Sequence, residues 1–307
     1  MKIKQIFPLV LCSLIWAGYY VASQKAVSFM SVFNVGIGIR LITMVLLTGI
    51  LIFKKEFHLI FKTKGTLKKL ILIGVMGYLL DLTAFIGLSL STASSGSALL
   101  KCDILFVSLI SVFIYKQKFS KTDWIFTFVM LFGVFMVMNV DFKNFQFSNA
   151  GNIFFILSAL FVSINAFIIK SVQHDKTNPA SNNVIAYYNN FVTMILFTAT
   201  ALIMGTFSQF KLISENKALL AALVIAGFGQ TFVYIVYYKN LKTNPVWLVK
   251  IFLLLMPVFV SLISFILYRE KLEIIQYAGI AVVLLGAFGI LSEQKKRAVI
   301  PVNESVK

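Results

Sequence analysis

Long apolar runs alternate with short polar loops along almost the whole chain. Each run has about 17–25 residues, the length at which an α-helix crosses a bilayer. We therefore expect an all-α polytopic membrane protein with ten transmembrane helices. They cover approximately residues 6–24, 32–53, 69–90, 95–115, 124–140, 151–170, 183–204, 217–238, 246–268 and 275–291.

The order of these segments repeats. LFVSLISVFIYKQKFS (Leu105–Ser120) aligns with VFVSLISFILYREKLE (Val258–Glu273) at an offset of 153 residues, and eight of the sixteen positions are identical. ITMVLLT (Ile42–Thr48) aligns in the same way with VTMILFT (Val192–Thr198). Segments 1–5 therefore match segments 6–10. Because five is odd, the second copy must cross the bilayer in the opposite sense, which predicts two inverted five-helix repeats.

Composition and charge agree with a membrane protein and indicate its orientation. Hydrophobic residues make up 59% of the chain and the mean hydropathy is +0.91, whereas soluble domains have about 45–50% apolar residues. With both termini in the cytoplasm, the inner loops and tails hold 19 Lys or Arg, the outer loops hold 6, and three lie within spans. The net charge of +17 thus reflects topology in the cell (inner) membrane and not nucleic-acid binding. The predicted domains are residues 1–145, the inverted copy at 146–292, and a disordered cytoplasmic tail at 293–307.

Four ionisable residues lie near the middle of predicted spans: Arg40, Asp81, Lys101 and Asp103. A charge at the bilayer centre costs about 2.5–3.5 kcal/mol on insertion scales, so such residues face a cavity or a partner. Lys101 and Asp103 are about 200° apart around a helix and cannot pair with each other. Asp103 must therefore meet a partner from another helix or stay protonated, and Arg40 could form a structural pair with Asp81 or Asp103.

The neighbours of Lys101 indicate a water-filled cavity, because Ser94, Ser97 and Ser108 share its helix face. Other lysines near span ends, including Lys250, are expected to anchor helices at the lipid headgroups.

Several residues together resemble a known family. The first segment carries Trp16 and the second carries Arg40, while the ninth reads LLLMPVFVSLISFILYREKLE with Pro257 and Glu270. With the repeat, these features resemble the drug/metabolite transporter superfamily, specifically its EamA-like branch, over nearly the whole chain to about residue 292. The first copy differs, because Ile104 stands where the second has Pro257. The resemblance implies a transporter of a small molecule.

The leading hypothesis is a secondary-active transporter, exporter or exchanger, of a small amphoteric metabolite such as an amino acid. Charges of both signs at the midplane would bind its ammonium and carboxylate, and alternating access would follow from rocking of the halves. Protons are the candidate coupling ion, and a proline kink would act as a hinge. We expect a monomer in the lipid bilayer, with neither cofactor nor metal. The candidate substrate-binding residues are Lys101, Asp103, Asp81, Arg40, Trp16, Tyr20, Asn165, Asn190, Gln230 and Tyr234, and the candidate hinge is Pro257.

Three alternatives remain at this stage. The cargo could be an organic cation of the choline type or another charged nutrient, because an aspartate within an aromatic cage recognises such groups. A membrane-embedded enzyme is disfavoured, because both histidines, His58 and His174, fall in loops and the two cysteines have no metal-site spacing. A structural or signalling protein without cargo would leave four costly charges without a purpose beyond helix register.

Overall fold

The computed structural model describes residues 3–63, 65–90, 99–116, 120–140, 150–268 and 273–299. Helices and short connections make up this part of the chain, which contains no strand. The α-helices are α1 (Ile3–Val27), α2 (Val32–Phe53), α3 (Leu67–Leu90), α4 (Asp103–Phe113), α5 (Lys121–Val137), α6 (Ala150–Gln173), α7 (Asn182–Ile203), the one-turn α8 (Leu212–Glu215), α9 (Lys217–Thr243), α10 (Val246–Leu253), α11 (Met256–Tyr268) and α12 (Ile274–Val299).

Eight described stretches are long and apolar enough to cross a membrane, so the chain is a multi-pass membrane protein. They are 6–27, 32–53, 67–87, 151–173, 182–203, 217–243, 246–267 and 274–293. The other two predicted spans appear as shorter helices: α4 has 11 residues and α5 has 17. The predicted segment 95–115 begins partly outside the described residues, which resume at residue 99.

Two details differ from the sequence-based expectation. The predicted helix 246–268 is divided, because Leu254 and Leu255 form a turn between α10 and α11. The last helix continues to Val299, so residues 293–299 are helical and not a disordered tail. Residues 300–307 of the predicted tail lie outside the described part of the chain.

Polar side chains at several helix starts explain where those helices begin. Ser120 accepts a hydrogen bond from the Asp123 amide, and the Asp123 carboxylate accepts one from the Ser120 amide, which forms a capping box for α5. Ser181 caps α7, and Asn216 caps α9. Each side chain satisfies backbone donors that the first helical turn leaves without an intrahelical partner.

The helices of the two halves pack against each other in matching pairs. α1 packs on α9, and α3 packs on α6. Because α1 aligns with α6 and α3 aligns with α9 in the repeat, these two contacts are equivalent. α3 on α7 and α9 on α2 form a second such pair. Two further contacts join a helix to the equivalent helix of the other half: α2 packs on α7, and α5 packs on α12.

One close contact occurs twice at equivalent positions. Gly74 of α3 lies against Val192 of α7, and the Thr193 hydroxyl donates to the Gly74 carbonyl at 3.0 Å. In the other copy, the Thr43 hydroxyl of α2 donates to the Gly227 carbonyl of α9 at 3.1 Å. Small residues allow such backbone approach between membrane helices.

Gly133 in α5 allows the close contact with α12. A Cβ added there would lie 2.9 Å from the Val283 amide nitrogen and 3.0 Å from the Gly279 carbonyl oxygen. We expect Gly133→Ala to lower the melting temperature of the detergent-purified protein, because the clash is with backbone and overpacking costs about 1–3 kcal/mol. Gly49→Ala is the matched control, since no atom lies within 4 Å of its added Cβ. Equal melting temperatures for the two variants would contradict this account of the α5–α12 contact.

Candidate functional site

Arg40 of α2 is buried and binds two side chains. Its Nη2 pairs with the Asp81 carboxylate of α3, and its Nη1 donates to the Tyr234 hydroxyl of α9 at 2.7 Å. The Asn190 side chain of α7 donates to the Arg40 carbonyl at 2.9 Å. Of the two partners expected for Arg40, the structure has Asp81.

A second buried ion pair joins Asp103 of α4 to Lys250 of α10. Lys250 Nζ lies 2.8 Å from Asp103 Oδ2, and the side chains are 1% and 8% exposed. The ammonium also lies 5.6 Å from the ring centre of Tyr237 and 6.0 Å from that of Trp16, within range of a cation–π attraction. Asp103 thus has the partner from another helix that its position requires.

This pair corrects the expectation for Lys250. Its position five residues into the predicted segment 246–268 suggested a headgroup anchor, but the side chain is inside the protein. The repeat contained the missed signal. At the offset of 153, Lys250 falls on Ser97, within the predicted segment that carries Lys101 and Asp103.

Breaks in two helices place both charges of the pair. A turn at Lys101–Cys102 precedes α4, and a turn at Leu254–Leu255 separates α10 from α11. The two turns occupy equivalent positions in the repeat, 153 residues apart. Asp103 therefore lies in the first turn of α4 and Lys250 in the last turn of α10, the two helix ends whose dipoles favour a carboxylate and an ammonium, respectively.

Lys101 lies in the first of these turns and faces a different partner. Its Nζ lies 3.1 Å from the Met256 sulfur, and a thioether is only a weak acceptor. No carboxylate among the described residues is within ion-pair distance of it, Asp103 included. The site thus presents a half-buried ammonium that can accept an anionic group.

Two adjoining cavities lie among these charged groups, with empty volumes of about 550 and 880 Å³, including the part open to solvent. We call them the Arg40 chamber and the Lys101 chamber, after the cation that lines each. Trp16, Tyr19 and Asp81 line both. Asp81 therefore stands where a ligand in either chamber could reach it.

Nine of the ten predicted substrate-binding residues line a chamber. In addition to the shared Trp16 and Asp81, the Arg40 chamber has Arg40, Asn165, Gln230 and Tyr234, and the Lys101 chamber has Tyr20, Lys101 and Asp103. Lys250 lines the Lys101 chamber as well.

The remaining predictions fall outside the chambers. Asn190 is buried behind Arg40 and supports its backbone, so it is not a lining residue. Pro257 follows the turn between α10 and α11 and lines neither chamber. Ser108 is buried within α4 away from both, while Ser94 and Ser97 of the expected serine face lie outside the described residues.

One end of the molecule is closed by polar contacts, and we call it the closed end. Glu56 accepts hydrogen bonds from Ser181 and Asn183 at 2.9 and 2.8 Å, which joins the α2–α3 connection to α7. Lys69 Nζ lies 2.9 Å from Asp175 Oδ2. This ammonium, together with hydrogen bonds from Thr177 and Asn178, lowers the pKa of Asp175 below its ordinary value.

Lysine and glutamine side chains extend the closed end along α9. Lys170 Nζ donates to the carbonyls of Leu241 and Asn244 at 2.7 and 2.6 Å. The Gln173 amide donates to the Tyr238 carbonyl at 2.8 Å. The Lys101 chamber lies toward the opposite end, where Gln24 and Val27 of α1 line it.

The described residues contain no group of three or more His, Cys, Asp or Glu side chains that could hold a metal ion. The side chains that line the two chambers can bind charged and hydrogen-bonding groups.

The Asp103–Lys250 pair yields a stability prediction. Lys250→Met leaves Asp103 as an unpaired buried carboxylate, and loss of one partner of such a pair costs about 3–5 kcal/mol. We expect a large fall in melting temperature, partly reversed in the double variant Lys250→Met/Asp103→Met. Lys101→Met removes the same charge from an ammonium without an ion pair and should melt close to wild type. An unchanged melting temperature in Lys250→Met would show that the pair is not a structural link.

The likeness to known proteins covers both halves. The profile of the EamA-like transporter family matches residues 3–139 and 149–292. An uncharacterized transporter of Methanothermobacter thermautotrophicus (strain ATCC 29096 / DSM 1053 / JCM 10044 / NBRC 100330 / Delta H) is 25% identical over 205 residues, 66% of this chain and 57% of that protein. The match thus spans little more than half of the archaeal relative.

A solved crystal structure of another protein has the same fold. It has a TM-score of 0.77 and 13% sequence identity, over 96% of this chain and 99% of the other. The EamA family consists of transporters, which agrees with the expectation that this protein is not an enzyme. With matched helices in both halves, a charged cavity between them and a family match over most of its length, this chain belongs to the EamA-like transporter family.

Proposed function

We propose that the protein is a secondary-active transporter of a small amphoteric metabolite, such as an amino acid, and that it works by alternating access. The observation that carries the proposal is the space between the halves, where the unpaired ammonium of Lys101 and the carboxylate of Asp81 line one chamber. A ligand with a carboxylate and an ammonium would match both groups. The aromatic walls formed by Trp16, Tyr19 and Tyr20 would enclose its side chain.

The ten-helix inverted repeat is part of this proposal. In it, α4 with the residues before it is the fourth span, α5 is the fifth, and α10 with α11 is the ninth. The paired contacts of the two halves and the coincident helix breaks support this assignment. Broken helices at a repeat interface are typical of transporters whose halves move against each other around a central site. The turn before Pro257 would serve as the hinge.

Orientation follows from the distribution of positive charge. We place both termini in the cytoplasm of a cell whose inner membrane holds the protein as a monomer, with the closed end toward the cytoplasm and the Lys101 chamber toward the outside. Energy would come from an ion gradient or from exchange, because the sequence has no nucleotide-binding motif. Protons are the proposed coupling ion, with Asp81 or Asp103 as the carrier when substrate releases it from its basic partner.

An organic cation is the second candidate cargo. It is favoured by the aromatic rings of Trp16 and Tyr237, which already lie close to the Lys250 ammonium. Such a ligand would use Asp81 and these rings, and Lys101 would repel it. The two candidates therefore differ in their response to removal of Lys101.

A thermal-shift screen of the purified protein would separate them. Amino acids that bind the folded state should raise the melting temperature, by an amount equivalent to about 2.7 kcal/mol at a hundredfold excess over Kd. Lys101→Met and Asp81→Asn should each abolish the shift. Stabilisation by choline-type cations alone, retained in Lys101→Met, would reject the amphoteric ligand and favour the cation.

Alternating access predicts two conformations that differ in the distance between α3 and the α6–α7 connection at the closed end. Spin labels at Lys68→Cys and Lys176→Cys, in a Cys12→Ser/Cys102→Ser background, would flank the intact Lys69–Asp175 pair. A ligand from the screen should shift the population between a short and a long distance between the two labels, measured by double electron–electron resonance. Labels at Lys217→Cys and Lys239→Cys, both on α9, should give one constant distance. A single, ligand-independent distance for the first pair would contradict the mechanism.

A further inference from the structure

The charges around the two chambers do not cancel. Among the described residues that line them, three cations, Arg40, Lys101 and Lys250, stand beside two carboxylates, Asp81 and Asp103. The short stretch 91–98 next to Lys101, outside the described residues, has the sequence STASSGSA and adds no ionisable side chain. One positive charge is therefore in excess.

The excess is located at one side chain. Arg40 is neutralised by Asp81 and Lys250 by Asp103, each through direct contact. Lys101 has the Met256 sulfur as its partner, which carries no charge to offset the ammonium. Charge in a low-dielectric interior is costly unless it is paired, so the bound ligand gains most by supplying the missing negative charge.

A ligand of zero net charge would leave the imbalance in place. Its carboxylate can neutralise Lys101, but its ammonium then needs a carboxylate, and both available ones already hold a cation. If Asp81 bound the ligand's ammonium, Arg40 would lose its carboxylate partner. If Asp103 bound it, Lys250 would lose its carboxylate partner. A ligand with one more negative than positive charge avoids this exchange.

We infer that the site selects metabolites with a net charge of −1, whose extra carboxylate or equivalent anionic group binds Lys101. This inference rests on the proposed function and narrows its substrate class. Among amphoteric metabolites it favours those with two acidic groups and one ammonium over neutral zwitterions of the same size. The ammonium would have to share Asp81 with Arg40, so it contributes less to binding than the anionic group.

Isosteric acid–amide pairs isolate the charge from size and shape. The panel contains glutamate with glutamine, aspartate with asparagine, and 3-phenylpropionate with its amide, each titrated in thermal-shift and calorimetric measurements on the full chain. We expect at least one acid to bind about tenfold or more tightly than its amide, a difference equivalent to about 1.4 kcal/mol.

Three variants test the assignment to Lys101. Lys101→Met should remove the preference for the acid, and Lys101→Arg should retain much of it because the positive charge remains. Lys239→Met removes a lysine that is exposed on α9 and should bind like wild type. Melting temperatures without ligand show whether each variant is folded, so a lost preference in a folded Lys101→Met protein reports on the site.

The outcomes separate the inference from the proposed function. If glutamine and asparagine both bound as tightly as their acids, the inference would be overturned and the amphoteric transporter would remain intact. Binding of 3-phenylpropionate alone would support the anion site and reject the amphoteric cargo. Stabilisation only by cations would reject both. No response to any acid, or an acid preference that persists in Lys101→Met, would overturn the inference.

Discussion

Charge neutralisation in a membrane interior is the constraint on which the rest of this structure depends. Unpaired ions are costly there, and the protein meets this cost with two buried ion pairs, one of which joins its halves directly. Asp103 and Lys250 join α4 of the first half to α10 of the second. Arg40 pairs with Asp81 within the first half and reaches Tyr234 of the second. Because each link crosses the central space, the charges both stabilise the interface and form the walls of the cavity.

The scaffold is repeated but the site is not. The Gly74–Thr193 contact and its equivalent between Gly227 and Thr43 pack the two halves in the same way. The positions that carry charge in the first half are uncharged in the second, where Asn190 replaces Arg40 at an offset of 150. A duplicated framework can thus keep its packing while one half acquires most of the charged groups that line the chambers. Lys250 is the second half's one charged contribution to the described chambers.

The broken helices explain how charges can be held at this depth. A continuous helix satisfies its own backbone groups and offers only side chains, whereas a break exposes helix ends with partial charges. Asp103 lies at the N-terminal end of α4, and Lys250 lies at the C-terminal end of α10. Pro257 accounts for the break in the second half, since proline cannot donate the helical hydrogen bond. The first half also has a turn at the equivalent place, with Ile104 at the position of the proline, so proline is not required for it.

The sequence by itself determined the membrane class, the helical repeat, the family and most of the residues around the cavity. These depend on apolar length, on internal alignment and on the cost of midplane charge, all of which are local or additive properties of the chain. Only the tertiary structure decided the pairings. Arg40 had two candidate carboxylates, and Lys250, near the end of a predicted span, gave no local sign of burial. Its partner Asp103 is 147 residues away, and the choice depends on where two helix breaks bring α4 and α10 together.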